Sequence, residues 1–190
     1  FLEQARWEDA EDEALAASLL GRRTKLLERS RELAMESAGA LRTRIHGDLH
    51  LGQVLVAGSD VVIIDFEGEP SKPLEERRAK DLPLRDVAGI IRSFDYSTAV
   101  ARRTMPAVAE TVHARAEHAF HEFCECAVTG FLDGYTEVSG RDPGPLLDLF
   151  LLEKAAYELR YEAASRPDWL SVPLAGFARI AERITGEGDE

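Results

Sequence analysis

The sequence predicts a mostly helical unit with one short β-hairpin, and three observations carry that prediction. Long segments rich in Ala, Leu, Glu and Arg repeat apolar residues at spacings of three and four. β-Branched runs stand together in one place, Val54–Ala57 and Val61–Ile64, flanking Gly58–Ser59–Asp60. Proline- and glycine-bearing turns separate the periodic segments.

Taken in order, Trp7 to Ala38 reads as one helix without proline, with a broken stripe of Leu15, Leu19, Leu26, Leu33 and Met35 and a stop at Gly39. Glu8, Asp9, Glu11, Asp12 and Glu13 give it a solvated acidic start. The two β-branched runs then form a hairpin with a three-residue turn. Glu67 to Lys80, with Pro70, Pro73 and mixed charges, reads as a loop. Asp81 or Pro83 opens a helix carrying Val87, Ile91 and Phe94. Met105–Pro106 opens a long helix with Val108, Val112, Ala116, Phe120, Phe123, Ala127, Phe131 and Tyr135 on one stripe. After the turn Gly140–Pro145, Leu146 to about Ala164 is apolar nearly all round at its start, the mark of a central helix. Arg166–Pro167 ends it, and a last amphipathic helix runs from about Pro173 to Ile184.

At 190 residues and 45% hydrophobic, the chain can bury a full single-domain core. It opens on Phe1 with a helical pattern already running, which reads as a piece of a longer protein. A net charge of −12 argues against nucleic acid as a partner. No apolar run is long enough for a membrane span and no signal-peptide pattern is present, so the expected setting is cytoplasmic. Cys124 and Cys126, two apart on a helix, point to different faces and suit neither a bridge nor a metal pair.

The chemistry concentrates around two aspartates. His46, Asp48 and His50 alternate along an extended loop bracketed by Gly47 and Gly52, and Asp65 ends the second apolar run. A carboxylate in hydrogen-bond reach of a hydroxyl can take its proton during phosphoryl transfer, which makes Asp48 a candidate base. Gln53 and Asp65 stand at the two outer ends of the hairpin and offer an amide oxygen and a carboxylate to a hard cation such as Mg²⁺. Glu67 and Glu69 are nearby acids suited to supporting or sugar-contacting roles.

A second informative stretch is Glu153–Glu162. On a helix, Glu153, Tyr157 and Tyr161 share one stripe and Lys154, Glu158 and Glu162 the next. Aromatic rings beside hydrogen-bonding ends suit a sugar, and a salt-bridged surface with half-buried tyrosines fits the pattern too. Trp169 is a further sugar platform or a core residue. His118 and His121, with Glu122 and Glu125, read as a solvated face, as do Lys72, Arg77, Arg78, Lys80 and Arg85. Arg92, Asp95 and Asp86 read as a structural ion network behind the loop.

His46–Gly47–Asp48–Leu49–His50 followed by Ile64–Asp65–Phe66–Glu67 resembles the core of the aminoglycoside phosphotransferase-like kinases, which share a eukaryotic-protein-kinase-like fold. The stretches Gln53–Val54–Leu55, Asp65–Pro70 and Pro83–Tyr96 are similar to the maltokinase branch, which in some bacteria is fused to trehalose synthase. The resemblance implies that residues 1–190 form the C-terminal lobe of a kinase. Asp48 would be the base, Gln53 and Asp65 the Mg²⁺ ligands, and ATP the co-substrate. It further implies substrate contacts from His50, Lys154, Tyr157, Glu158 and Tyr161, with His46 and Glu67 in support. Most of the wider superfamily has Asn where this chain has Gln53. The expected reaction is maltose plus ATP to maltose 1-phosphate. The alternatives are a kinase of another sugar such as glucosamine, a metal-dependent hydrolase using His46, Asp48, His50 and Asp65, and a sugar-binding module without turnover. A sheet lobe bearing a phosphate-gripping lysine has no counterpart in the sequence, so an N-terminal lobe is expected elsewhere and the 190 residues alone are expected to be inactive.

Overall fold

The structure is a computed structural model that describes residues 2, 3, 5, 7 and 9–186. Seven α-helices and one two-stranded antiparallel hairpin make up the described chain. The mostly helical, single-hairpin class read from the sequence is what the chain adopts. No helix among the described residues is long and apolar enough to cross a membrane.

The first expected helix divides into α1 (Ala10–Gly21) and α2 (Arg23–Glu36). Asp9 caps α1, its carboxylate accepting from the Glu11 amide, while Glu8 lies outside the described residues. The break falls at Arg22, whose ψ of 0° leaves the helical region just after Gly21, a poor helix former. Each half buries its own leucines, Leu19 in α1 and Leu26 and Leu33 in α2.

Strands β1 (Val54–Ala57) and β2 (Asp60–Ile63) pair in the register Val54↔Ile63 to Ala57↔Asp60. Asp60 is therefore paired, and the turn is the two residues Gly58–Ser59 rather than three, with Gly58 at φ +66°. Glycine first in a two-residue turn with φ above zero matches the twist of the flanking strands. The expected loop from Glu67 to Lys80 contains a short helix, α3 (Leu74–Arg78), begun after Pro73.

Helix α4 (Leu84–Thr104) starts behind Pro83 and ends just before Met105, where the next helix was expected to open. Pro106 lies in an extended connection, and α5 begins only at Glu110, continuing to Ser139. No residue of α5 is fully buried, and Phe123 is 49% exposed. The helix rests mainly on α4 along one line, so its apolar stripe is only half used. Helix α6 (Leu146–Ser165) is the central helix its composition indicated, packed against α4 on one side and α7 (Ser171–Thr185) on the other. Leu147, Leu151, Ala155 and Leu159 of α6 meet Ala88 and Ile91 of α4 and Leu174, Ala178 and Ala181 of α7 in one apolar cluster.

Candidate active site

The loop His46–Gln53 lies on helix α4 as on a rail. Asp86, in the first turn of α4, accepts from the backbone amides of His46 at 2.6 Å and Gly47 at 2.9 Å. One turn on, Gly89 has no side chain where a Cβ would stand 2.3 Å from the Leu49 carbonyl oxygen. One turn further, the Ser93 hydroxyl accepts from the Leu51 amide at 3.1 Å. Asp86, Gly89 and Ser93 thus share one helix face at i, i+3 and i+7. The sequence offered Asp86 as part of an ion network; its partners are amides forty residues away, a pairing no local pattern encodes.

The loop also fixes itself. His46 is buried, with Nε2 2.8 Å from the Ile64 carbonyl and Nδ1 accepting from the Asp48 amide at 3.3 Å. That pattern requires a neutral ring carrying its proton on Nε2, because a carbonyl can only accept and an amide only donate. His46 therefore ties the loop to the end of β2, and its ring packs on Phe66 with centroids 4.8 Å apart. His50 caps the 3-10 turn Leu51–Gln53, its Nδ1 accepting from the Gly52 amide at 3.1 Å.

Asp48 projects from this loop, half-buried, with the Lys154 ammonium of α6 at 3.8 Å. Burial and then the nearby Glu69 carboxylate hold its carboxyl above the usual carboxylate range, against the opposite pull of Lys154 and His50. Gln53 and Asp65 meet as expected from the hairpin, with the Gln53 side-chain amide donating to the Asp65 carboxylate at 3.2 Å. Asp65 is the one non-glycine described residue with positive φ, 63°, a left-handed conformation aspartate tolerates at modest cost.

A carboxylate and an amide are too few for an all-protein metal cage, and no cluster of three His, Cys, Asp or Glu that could hold a metal occurs among the described residues. They do fit Mg²⁺, which takes one or two protein oxygens and completes its shell with phosphates and water. Gln53 would turn its amide over to present oxygen. A binuclear site through His46 and His50 has no such fit, since both His46 nitrogens and one of His50 are engaged with the backbone.

Beside Asp48 lies a cavity of about 140 Å³, with Gly47, Glu69, Arg85, Glu153, Lys154 and Tyr157 in its wall. The Tyr157 hydroxyl donates to Glu69 at 3.1 Å, joining α6 to the segment after β2. Lys154 lies 5.2 Å from the centre of the Tyr157 ring, and Tyr157 stacks on Tyr161 at 6.3 Å. Glu67 faces Arg77 of α3, whose guanidinium is 3.9 Å from its carboxylate. Arg77, Arg85 and Lys72 line the cavity, where the sequence suggested a solvated loop.

Glu158 departs from the group it was read with. It points into the core, 8% exposed, and accepts from Arg92 Nε at 3.0 Å and from a terminal nitrogen at 2.7 Å. Tyr161, 49% exposed, lies further along α6 from the cavity, and the Arg166 guanidinium lies 5.9 Å from its ring centre. Trp169 sits between the guanidinium groups of Arg103 and Arg166, 4.6 and 5.3 Å from its centre. His118 and His121 pair with Glu122 and Glu125 on the exposed side of α5, the solvated face read from the sequence.

Compared with known proteins, the chain is 36% identical over 144 residues to a glucosamine kinase of Mycolicibacterium smegmatis, covering 74% of this chain and 35% of that enzyme. It is 32% identical over 142 residues to a glucosamine kinase of Streptacidiphilus jiangxiensis, covering 72% and 31%. The chain thus spans about a third of the length of these relatives. No family model matches it. Among solved structures, a glucosamine kinase in complex with glucosamine, ADP and inorganic phosphate superposes with a TM-score of 0.70 at 23% identity, over 88% of this chain and 39% of that one. A second crystal form of a glucosamine kinase gives 0.64 over 92% and 43%. The fold is accordingly shared with part of these solved structures, which fits the kinase-lobe fold expected from the sequence.

Proposed function

We propose that this chain is the acceptor-binding and base-bearing part of an ATP-dependent sugar kinase, and that its acceptor is a single-ring sugar of the glucosamine kind rather than maltose. The observation that carries the reading is Asp48 beside Lys154 at the mouth of a small cavity, with the Gln53–Asp65 pair at the other end of the same loop. The maltose expectation loses support on the relatives reported above, which are glucosamine kinases.

In this reading an acceptor hydroxyl donates to Asp48, which takes the proton as the hydroxyl oxygen bonds to the γ-phosphorus of ATP and the bond from that phosphorus to the β–γ bridging oxygen breaks, releasing ADP. Half-burial and the nearby Glu69 make Asp48 a stronger proton acceptor than an ordinary aspartate. Lys154 steadies its charge and lies where it can also meet the transferred group. Mg²⁺ held by Asp65 and the Gln53 amide oxygen would neutralise the nucleotide phosphates. His50 and Tyr157 border the acceptor, while His46 and Glu67 act through the loops they hold. The nucleotide grip and the remaining two thirds of a kinase's length would come from elsewhere in the protein, so the 190 residues alone turn over little or no sugar.

The test is phosphorylation of glucosamine, glucose and maltose by the full polypeptide, with Asp48→Asn alongside. Glucosamine should be the best acceptor, and Asp48→Asn should lower kcat on the order of 10³-fold. Wild-type turnover by that variant would remove Asp48 from its role, and maltose as the best acceptor would restore the expectation first read from the sequence.

A further inference from the structure

Glu69 is a carboxylate in the wall of the acceptor cavity that stands apart from the ion pairs around it. Arg85 bridges Asp81 and Glu153. Asp86 is occupied by the amides of His46 and Gly47. Asp48 has Lys154 at 3.8 Å. Lys72 and Glu76 line the cavity with exposed side chains, and Arg77, also in its wall, faces Glu67 at 3.9 Å. Among the described residues Glu69 is in no ion pair; its partner is the neutral hydroxyl of Tyr157 at 3.1 Å. Its negative charge also lies near enough to Asp48 to help hold that carboxyl above the usual carboxylate range.

Glu69 is held there from three directions. Tyr157 holds its carboxylate from α6. The preceding Gly68, at φ +77°, is packed tightly, since a Cβ would stand 3.2 Å from Cβ of Arg77. On its other side a Cβ on Gly47 would be 3.3 Å from Cα of Gly68, so the segment is wedged between the Asp48 loop and α3. A fixed carboxylate near Asp48 that is in no ion pair among the described residues leaves a place for a positive charge on the ligand.

Resting on the sugar-kinase reading, we propose that Glu69 is the residue that selects an amino sugar, accepting hydrogen bonds from the ammonium group while Asp48 addresses the hydroxyl to be phosphorylated. A neutral sugar brings only a hydroxyl to Glu69 and leaves the repulsion between the two carboxylates uncompensated. Glutamine at this position keeps the size and the hydrogen bond from Tyr157 but removes the charge.

The experiment compares wild-type and Glu69→Gln full polypeptide on glucosamine and glucose, by kcat/KM with ATP and by calorimetric binding of each sugar without nucleotide. Glu69→Asp serves as the charge-keeping variant, and thermal melting confirms the fold of each. The ratio of glucosamine to glucose, in both kcat/KM and affinity, should fall at least about tenfold in Glu69→Gln and recover in part in Glu69→Asp. An equal loss for both sugars, or an unchanged ratio, overturns the proposal and leaves Glu69 as an anchor for Tyr157. Glu69-dependent binding of glucosamine by a protein that phosphorylates no sugar would sink the kinase reading and keep this one. A wild-type protein that phosphorylates glucose and glucosamine equally would do the reverse.

Discussion

Helix α6 carries charged residues on two sides, and the molecule treats them in opposite ways. On the core side, Glu158 is met by Arg92 at 2.7 and 3.0 Å, and Arg92 in turn by Asp95 at 2.5 Å. Glu162, 2% exposed, receives Arg166 and the Tyr96 hydroxyl, and Arg179 of α7 reaches Asp95 at 3.0 Å. On the cavity side, Lys154 stands 3.8 Å from Asp48, and the acid nearest to Asp48 is another carboxylate, Glu69. Burial forces the first group to be fully paired, because an uncompensated interior charge costs several kcal/mol. Partial exposure lets the second remain unbalanced, which is the condition for binding something charged. One helix thus holds a fold on one face and a site on the other.

The largest test of the contrast removes a core partner. Arg92→Ala leaves Glu158 buried without its cation, while Asp95 keeps only the exposed Arg179, and should cost on the order of 3–5 kcal/mol in chemical denaturation. A loss below 1 kcal/mol would mean that the core cluster is no more tightly coupled than the site. Next comes the rail beneath the Asp48 loop. Gly89→Ala puts a methyl 2.3 Å from the Leu49 carbonyl, a backbone atom that must move. Unfolding should become easier by about 1–3 kcal/mol, and kcat of the full polypeptide should fall as Asp48 shifts.

A smaller effect concerns pH. Asp48 must be ionised to accept a proton, and its carboxyl is held above the usual range, so the acid limb of kcat should lie above that of an ordinary aspartate. Glu69→Gln removes a like charge and should move that limb to lower pH; a limb that stays put would separate the two groups. The same shift bears on stability with a definite sign. A carboxyl whose pKa is raised on folding contributes stability below its unfolded pKa, and loses that contribution as pH rises through the folded value. At neutral pH Glu69→Gln should therefore melt no lower than wild type. Smallest of all, Tyr157→Phe removes one neutral-to-charged hydrogen bond at a half-buried position, worth about 1 kcal/mol.

How much of this was legible beforehand follows from the range of each interaction. The hairpin, the central α6 and the meeting of Gln53 with Asp65 rest on local periodicity and a short turn, and a sequence displays those directly. The break at Arg22 was hidden because no proline marks it, and the late start of α5 because Pro106 normally opens helices rather than preceding them by four residues. Glu158 shared a helical stripe with Lys154, and stripe geometry alone cannot say which edge faces the core. The sequence places Asp86 behind the loop without showing its amide partners, and Gly89 and Ser93 are out of its reach, since their meaning depends on a loop some forty residues earlier in the chain.

The hairpin has one further consequence. Its eight strand residues pair only with each other, and seven of them are exposed, including Val56 at 77% and Val61 at 57%. A two-stranded ribbon of this length is marginal in water by itself. Its amides should exchange with solvent faster than those of α4 or α6, through local opening rather than global unfolding. Each opening draws Gln53 and Asp65 apart, because they stand at the roots of the two strands. The pair is therefore only as well defined as the least protected element of the fold, and whatever covers the ribbon sets how often the two residues are in place together.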